Sequence, residues 1–216
     1  MKKTLYSLML SDDVVREIDN LAHRRGTNRS ALVNQILADY VDLITPERRI
    51  GDIFRQIESL LSTDRELVPF VAPGASTMSL KSSLQYRYRP TVKYSVELYR
   101  DQENALGELS VVFRTQSEEL LSAMDRFFRL WKAIEDELVA GYLPRPAEYA
   151  LYAGRFTRTI ALPASRDYTT GDVAGAISAY VRLFDRLMKG YLAGSLTPEQ
   201  VRSEYIGWLR QGNIIL

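Results

Sequence analysis

Four positively charged side chains alternate with tyrosines in the middle of the chain: Lys81, Arg87, Arg89 and Lys93. Ammonium and guanidinium groups attract phosphates and carboxylates, and tyrosine rings stack on bases. The pattern is typical of a surface that binds nucleic acid or an acidic ligand. The alternative, which we favour for such residues, is a solvated sheet face with its tyrosines in the core.

The residues that most catalytic and metal sites require are sparse in this sequence. The 216 residues include no cysteine and a single histidine, His23. Thiol catalysis, disulfides and thiolate or histidine metal clusters are therefore excluded. The sequence also lacks a glycine-rich phosphate loop and a Ser-His-Asp set. These absences predict no enzyme, no metal and no cofactor, with a substrate pocket of Tyr, Arg and Glu side chains as the enzymatic alternative.

The composition is that of an ordinary soluble globular protein, with 46% hydrophobic and 25% charged residues and a net charge of +1. Its length accommodates one small module and one larger domain. No apolar run approaches the roughly 20 residues that a membrane helix needs, and the N-terminus does not resemble a signal peptide. We expect a cytoplasmic protein with no membrane partner.

Alternating apolar residues between Thr77 and Gln116 predict an antiparallel sheet, and the cations described above lie on its other face. A long helix is predicted from Ser117 to about Gly141. Its charged residues are expected on a solvated surface: Asp125, Arg129, Lys132, Glu135, Asp136 and Glu137. A further strand is predicted at 154–162, and two helices are predicted to begin at Thr170 and Thr197.

The first 44 residues combine one alternating segment with two amphipathic helices. The alternating segment predicts a strand with Tyr6, Leu8 and Leu10 on one face. Ser11-Asp12-Asp13 predicts the first helix start, His23 lies in its last turn, and Gly26 closes it. Asn28 is the expected cap of the second helix. So small a unit cannot bury two apolar stripes alone, so the sequence predicts a dimer.

The strand, the first helix, the segment Gly26-Thr27-Asn28-Arg29-Ser30 and the second helix together resemble the ribbon-helix-helix proteins of the CopG, Arc and MetJ type, over residues 3–44. The resemblance implies a homodimer whose paired strands enter the major groove of double-stranded DNA. It also assigns roles to individual residues. Lys3, Leu5, Ser7 and Met9 would face the bases, and Asn28, Arg29 and Ser30 would anchor phosphates.

Two features depart from the family pattern. Leu5 and Met9 offer the bases neither a donor nor an acceptor, although base edges are distinguished by such groups. The first 44 residues also contain as many acidic as basic side chains, whereas phosphate contacts supply much of the affinity for DNA. The alternative is that this unit only dimerises the chain.

The sequence therefore predicts an α+β protein with a ribbon-helix-helix module at 1–45. A linker helix from Pro46 to about Leu61 and a connection would occupy 46–76. An α+β domain at 77–216, with antiparallel sheet and long helices, would sense a small ligand or bind a partner protein. The predicted function is a dimeric DNA-binding transcriptional regulator, and the alternative is an interaction protein that uses its N-terminal unit only for dimerisation.

Overall fold

The computed structural model describes residues 4–64, 66–71, 76–84, 90–163, 168–213 and 216. Within these ranges it is an α+β structure of six helices and one six-stranded sheet. The helices are α1 (Asp12–Arg24), α2 (Arg29–Tyr40), α3 (Pro46–Leu61), α4 (Glu118–Leu138), α5 (Thr170–Leu192) and α6 (Pro198–Arg210). The strands are β1 (Val68–Val71), β2 (Thr77–Ser83), β3 (Thr91–Leu98), β4 (Gly107–Phe113), β5 (Tyr149–Tyr152) and β6 (Arg155–Ile160).

The helices begin where the sequence places capping side chains. Asn28 Oδ1 accepts from the Ala31 amide at 2.9 Å, and Thr169 and Thr197 each form a capping box. These contacts satisfy amides that have no partner inside a helix. Gly26, at φ 61°, adopts the left-handed conformation that follows α1. Ser11 stands at the start of α1, but its side chain makes no capping hydrogen bond.

All strand pairs are antiparallel, in the order β1-β2-β3-β4-β6-β5. The predicted apolar parity of the sheet is confirmed, because the same alternating residues are buried in β2, β3 and β4. These buried strand residues pack with side chains from α3, α4, α5 and α6 in one apolar core. At its centre Phe184 of α5 contacts Trp131 and Phe156, with ring centroids 4.7 and 5.5 Å apart.

Helix α3 has the predicted bounds, but it packs as a core helix. Five of its apolar side chains are at most 2% exposed: Ile50, Ile53, Phe54, Ile57 and Leu61. Helix α2 contacts the start of α3, where the Thr45 hydroxyl donates to Gln35 and Arg48 donates to Asp39. A buried stripe of this kind requires a packing partner, and the α3 side chains belong to the same apolar core as those of α4, α5 and α6.

Two strands were not predicted. Strand β1 lies inside the expected connection after α3, and β5 lies in the segment before the predicted strand at 154–162, which is confirmed as β6. Both are four-residue strands at the edges of the sheet. So short a strand displays too little alternation to be recognised in a sequence. In the described part of the chain, no helix is both long and apolar enough to cross a membrane.

Candidate functional site

Residues 4–10, which precede α1, form neither helix nor strand in the described chain, so the predicted strand is not formed within one chain. Leu5 and Met9 are almost fully exposed, at 95% and 102%, whereas Leu8 and Leu10 are exposed by 63% and 44%. Tyr6, which has the parity of Leu8 and Leu10, is also exposed, at 81%, so both faces of the predicted strand are exposed in the described chain. Lys3, the one cation among the predicted base-facing residues, lies outside the described residues.

Exposed apolar side chains are concentrated in this N-terminal part. Twelve of the 17 large apolar residues that are exposed in the described chain lie between Leu5 and Ile44. On α2 the exposed residues are Ile36, Leu37 and Tyr40, and Val41 follows at the end of the helix. Leu32, one turn before Ile36 on the same side, is buried, so the apolar side of α2 is only partly covered within the described chain. Contiguous apolar surface of this kind marks an interaction site.

The start of α2 positions the three predicted phosphate-anchoring residues. Asn28 caps the helix, and Arg29 and Ser30 are exposed in its first turn. Arg29 makes a two-pronged contact with Asp19 of α1, in which Nε donates to Oδ1 at 2.7 Å and Nη2 contacts Oδ2. This hydrogen-bonded ion pair lowers the pKa of Asp19 and raises the pKa of Arg29. A phosphate at this helix start would have to compete with Asp19 for the guanidinium.

The Asp19 contact was not anticipated from the sequence. Asp19 and Arg29 are ten residues apart and lie on different helices, so helical spacing does not bring them together. The available signal was the position of Asp19 on the polar side of α1. Since α1 and α2 are joined by a short turn, such a carboxylate lies within reach of the next helix start.

With this geometry established, comparison with known proteins is informative for the N-terminal part. Residues 7–43 match the family model described as ribbon-helix-helix protein, copG family. The N-terminal segment is a ribbon-helix-helix segment. The match covers less than half of the chain, so it characterises this segment alone. No curated protein and no solved structure matches the chain.

In the sheet, the structure places two of the four predicted cations. Lys81 and Lys93 lie directly opposite each other on β2 and β3, and both are exposed. Arg87 and Arg89 lie outside the described residues. Tyr94 belongs to the other face: it is fully buried, and its hydroxyl donates to Asp185 at 2.7 Å. For these described residues, the arrangement is a solvated cationic face with its tyrosine in the core.

A buried polar network lies between the sheet and the helices, centred on Glu135. The expectation that Glu135 belongs to the solvated surface of the long helix is wrong, because the residue is 1% exposed. Its carboxylate accepts from Arg158 Nε and from the hydroxyls of Tyr149 and Tyr205, each at 2.9 Å. Arg158 also lies over the ring of Tyr180, 4.8 Å from its centroid. Burial explains the arrangement, since a charge inside a protein requires a partner.

The titration of these groups follows their surroundings. Burial raises the pKa of the Tyr149 and Tyr205 hydroxyls, and the neighbouring Glu135 charge raises it further. Burial alone would lower the pKa of Arg158, but Glu135 together with Tyr180, Tyr149 and Tyr205 outweighs burial and raises it. At neutral pH Arg158 is therefore a cation and Tyr149 and Tyr205 are neutral. The hydrogen bonds of the network join β5 and β6 to α4 and α6.

A small cavity adjoins the network, and its walls include Arg158, Tyr180, Tyr205, Trp208 and Leu216. It leaves about 20 Å³ for the centre of a water molecule, which is room for about one water. A larger ligand would have to displace these side chains. Among the described residues, no group of three or more His, Cys, Asp or Glu side chains is arranged to hold a metal ion.

Proposed function

We propose that this chain is a dimeric DNA-binding transcriptional regulator whose C-terminal part binds a partner. The main support is the location of the exposed apolar surface, which is concentrated in the segment that matches the ribbon-helix-helix family. In that family two chains pair their strands and enter the major groove together. A second copy would cover the exposed apolar residues of α2 and supply the hydrogen-bonding partner that residues 4–10 lack.

In this proposal Ser7 and Lys3 are the outward groups that hydrogen-bond to base edges, and Leu5 and Met9 make apolar contacts with thymine methyl groups. Asn28, Arg29 and Ser30 lie at the start of α2, where backbone amides and a positive dipole favour a phosphate. Arg29 exchanges its contact with Asp19 for a phosphate contact on binding. Because few outward groups are polar, sequence specificity is modest and DNA shape contributes to it.

The experiment is a selection from random double-stranded DNA with the full chain, repeated with two variants. Ser7→Ala should change the enriched motif, because a lost base contact removes roughly 1–3 kcal/mol of discrimination between bases. Arg29→Ala should weaken binding to all sequences. It should also reduce the slope of log K against log salt concentration by about 0.9 for each lost phosphate contact. If no motif is enriched and both variants bind DNA as weakly as the parent, the regulator proposal is wrong.

The second candidate function is an interaction protein in which the N-terminal unit only dimerises the chain. Two observations favour it: the exposed Leu5 and Met9, and the engagement of Arg29 by Asp19. The same selection separates the two candidates, because a dimerisation unit predicts a stable dimer that enriches no DNA sequence.

For the C-terminal part we propose partner binding in preference to ligand sensing. The cavity beside Arg158 has room for about one water molecule, and a larger hollow of about 380 Å³ is wide open and lined by side chains of α4 alone. We also propose that this domain begins with α3, whose apolar side chains complete its core. A fragment of residues 46–216 should then unfold cooperatively. A fragment of residues 63–216 should not, since it lacks the five buried side chains of α3.

A further inference from the structure

One face of the sheet has no helix packed on it within the described chain. Helices α3–α6 contribute their core side chains to the other face. We call the side without helices the open face. Its residues are those of the second parity, including Lys93, Ser95 and Glu97 of β3.

The strand register arranges the open face in three rows that cross the strands. The first row holds the cations Lys81, Lys93 and Arg155, in register through Val112. The middle row holds four small hydroxyl residues and ends at Phe70 on β1 and Ala150 on β5; the four are Ser79, Ser95, Ser110 and Thr157. The third row holds the carboxylates Glu97, Glu108 and Glu148, and it runs through Thr159.

The charged rows lie far apart within one chain. Lys93 and Glu97 are four residues apart on the same strand, a separation of about 13 Å. None of the six charged groups forms an ion pair within the described chain. Glu97, Glu108 and Glu148 all act on the Tyr99 hydroxyl and, after burial, raise its pKa, which shows that they share one region. Arg155 leans toward the middle row, where its Nε donates to Ser110 at 3.2 Å, and its charge acts on Glu108. The face therefore carries charges of opposite sign that form no ion pair within the described chain.

We propose that the open face binds the open face of a second copy of this chain. A two-fold axis that crosses the strands above Ser95 reverses the strand direction and superimposes the cation row of one copy on the carboxylate row of the other. Lys93 then faces the second copy's Glu97, and Glu108 lies between the second copy's Lys93 and Arg155. The other face-to-face two-fold, parallel to the strands, would place cations on cations.

The same pattern disfavours a polyanion such as DNA, because a polyanion lying across the face would meet three carboxylates. The middle row is compatible with the close approach of two sheets, since Ser and Thr side chains are small. The contact spans only about 13 Å along the strands and roughly 20 Å across them. It is thus smaller than a standard interface and weak without help. The inference rests in part on the proposed N-terminal dimer, which would hold two open faces at an effective concentration in the millimolar range.

The test uses the full chain and the absence of native cysteine. Ser95→Cys places one thiol on the proposed axis, and a bis-maleimide reagent spans the roughly 10 Å between packed sheets. Ser122→Cys, exposed on α4, is the control for random collision, and Ser7→Cys reports on the N-terminal dimer. We expect cross-linking from Ser95→Cys and Ser7→Cys but not from Ser122→Cys. The Ser95 cross-link should decrease in 0.5 M salt (about 4 Å screening length).

Charge reversal tests the pairing itself in the Ser95→Cys chain. Lys93→Glu and Glu97→Lys should each reduce cross-linking about tenfold, because every substitution turns two symmetric attractions into repulsions. The double reversal should restore cross-linking, since the two residues exchange roles across the axis. A double variant as weak as the singles would overturn the proposal.

The outcomes also separate the two associations. Cross-linking at Ser7 but not at Ser95 overturns the open-face contact and leaves the N-terminal dimer intact. Cross-linking at Ser95 but not at Ser7 supports the open face and overturns the N-terminal dimer. If neither position cross-links above the Ser122 control, both associations are wrong.

Discussion

Replacing Glu135 by leucine should strongly destabilise the C-terminal part. The substitution removes the acceptor of the Arg158 guanidinium, which is 3% exposed, and of the Tyr149 and Tyr205 hydroxyls. A buried ion pair that loses one partner costs about 3–5 kcal/mol. An unsatisfied buried hydroxyl costs about 1–3 kcal/mol, and these costs are not additive within one network. We therefore expect a loss of about 4–6 kcal/mol, which is a large part of a typical stability of 5–15 kcal/mol.

Removing both charges should be much less damaging. In Glu135→Leu/Arg158→Met no buried charge is left without a partner, and replacing a buried pair by apolar residues is often close to neutral. The double variant should regain about 2–4 kcal/mol relative to Glu135→Leu. Tryptophan fluorescence in a urea titration measures this, because both tryptophans, Trp131 and Trp208, lie in the C-terminal part. The reasoning would be refuted if the unfolding free energy of Glu135→Leu lay within about 1 kcal/mol of the parent's, or if the double variant were no more stable than Glu135→Leu.

Three further predictions follow from contacts in the structure. Leu37→Asp places a charge among the exposed apolar residues of α2, so sedimentation should show a shift from dimer to monomer, while an unchanged dimer would exclude these residues from the interface. Asp19→Asn frees Arg29, so binding to all DNA sequences should tighten with a steeper salt dependence in a filter-binding titration, unlike the matched control Asp42→Asn. Burial alone would lower the pKa of Lys189, but contacts with Asp185 and Glu66 raise it above 10.5. The raised pKa stabilises the folded state fully below pH 10.5, and this stabilisation is lost as the pH rises through the pKa of Lys189 in the folded protein. In thermal melts, raising the pH past that value should therefore lower the melting temperature of the parent more than that of Lys189→Met.

The sequence predicted the elements whose signals are local. The helix starts at Asn28 and Thr197 follow from side chains that cap their own helix, and the start predicted at Thr170 has its cap one residue earlier, at Thr169. The buried parity of β3 follows from strict alternation. Such features depend on residues within a few positions of each other, so a sequence displays them directly.

The missed features depend on distant partners. Glu135 has the spacing of a surface residue on α4, but the fold places Arg158, 23 residues later, against it on β6. Arg29 resembles a free phosphate ligand until α1 brings Asp19 to it. In both cases the residue type was known and its partner was not. The electrostatic state of a charged group is therefore a property of tertiary packing, which helix and strand periodicities do not report.

The two surfaces that lack a partner among the described residues differ in the kind of association they favour. The N-terminal surface is apolar, and its burial would supply free energy in proportion to area, at about 25 cal/mol per Å². The open face carries a cation row and a carboxylate row on either side of small hydroxyl residues. Exposed charges contribute orientation more than affinity. An association built from both surfaces would thus have its strength set at residues 5–44 and its geometry set at the sheet. Since Arg29 and Ser30 lie in the first turn of α2 and the exposed apolar residues lie in its second half, covering those apolar residues would leave the proposed phosphate contacts accessible.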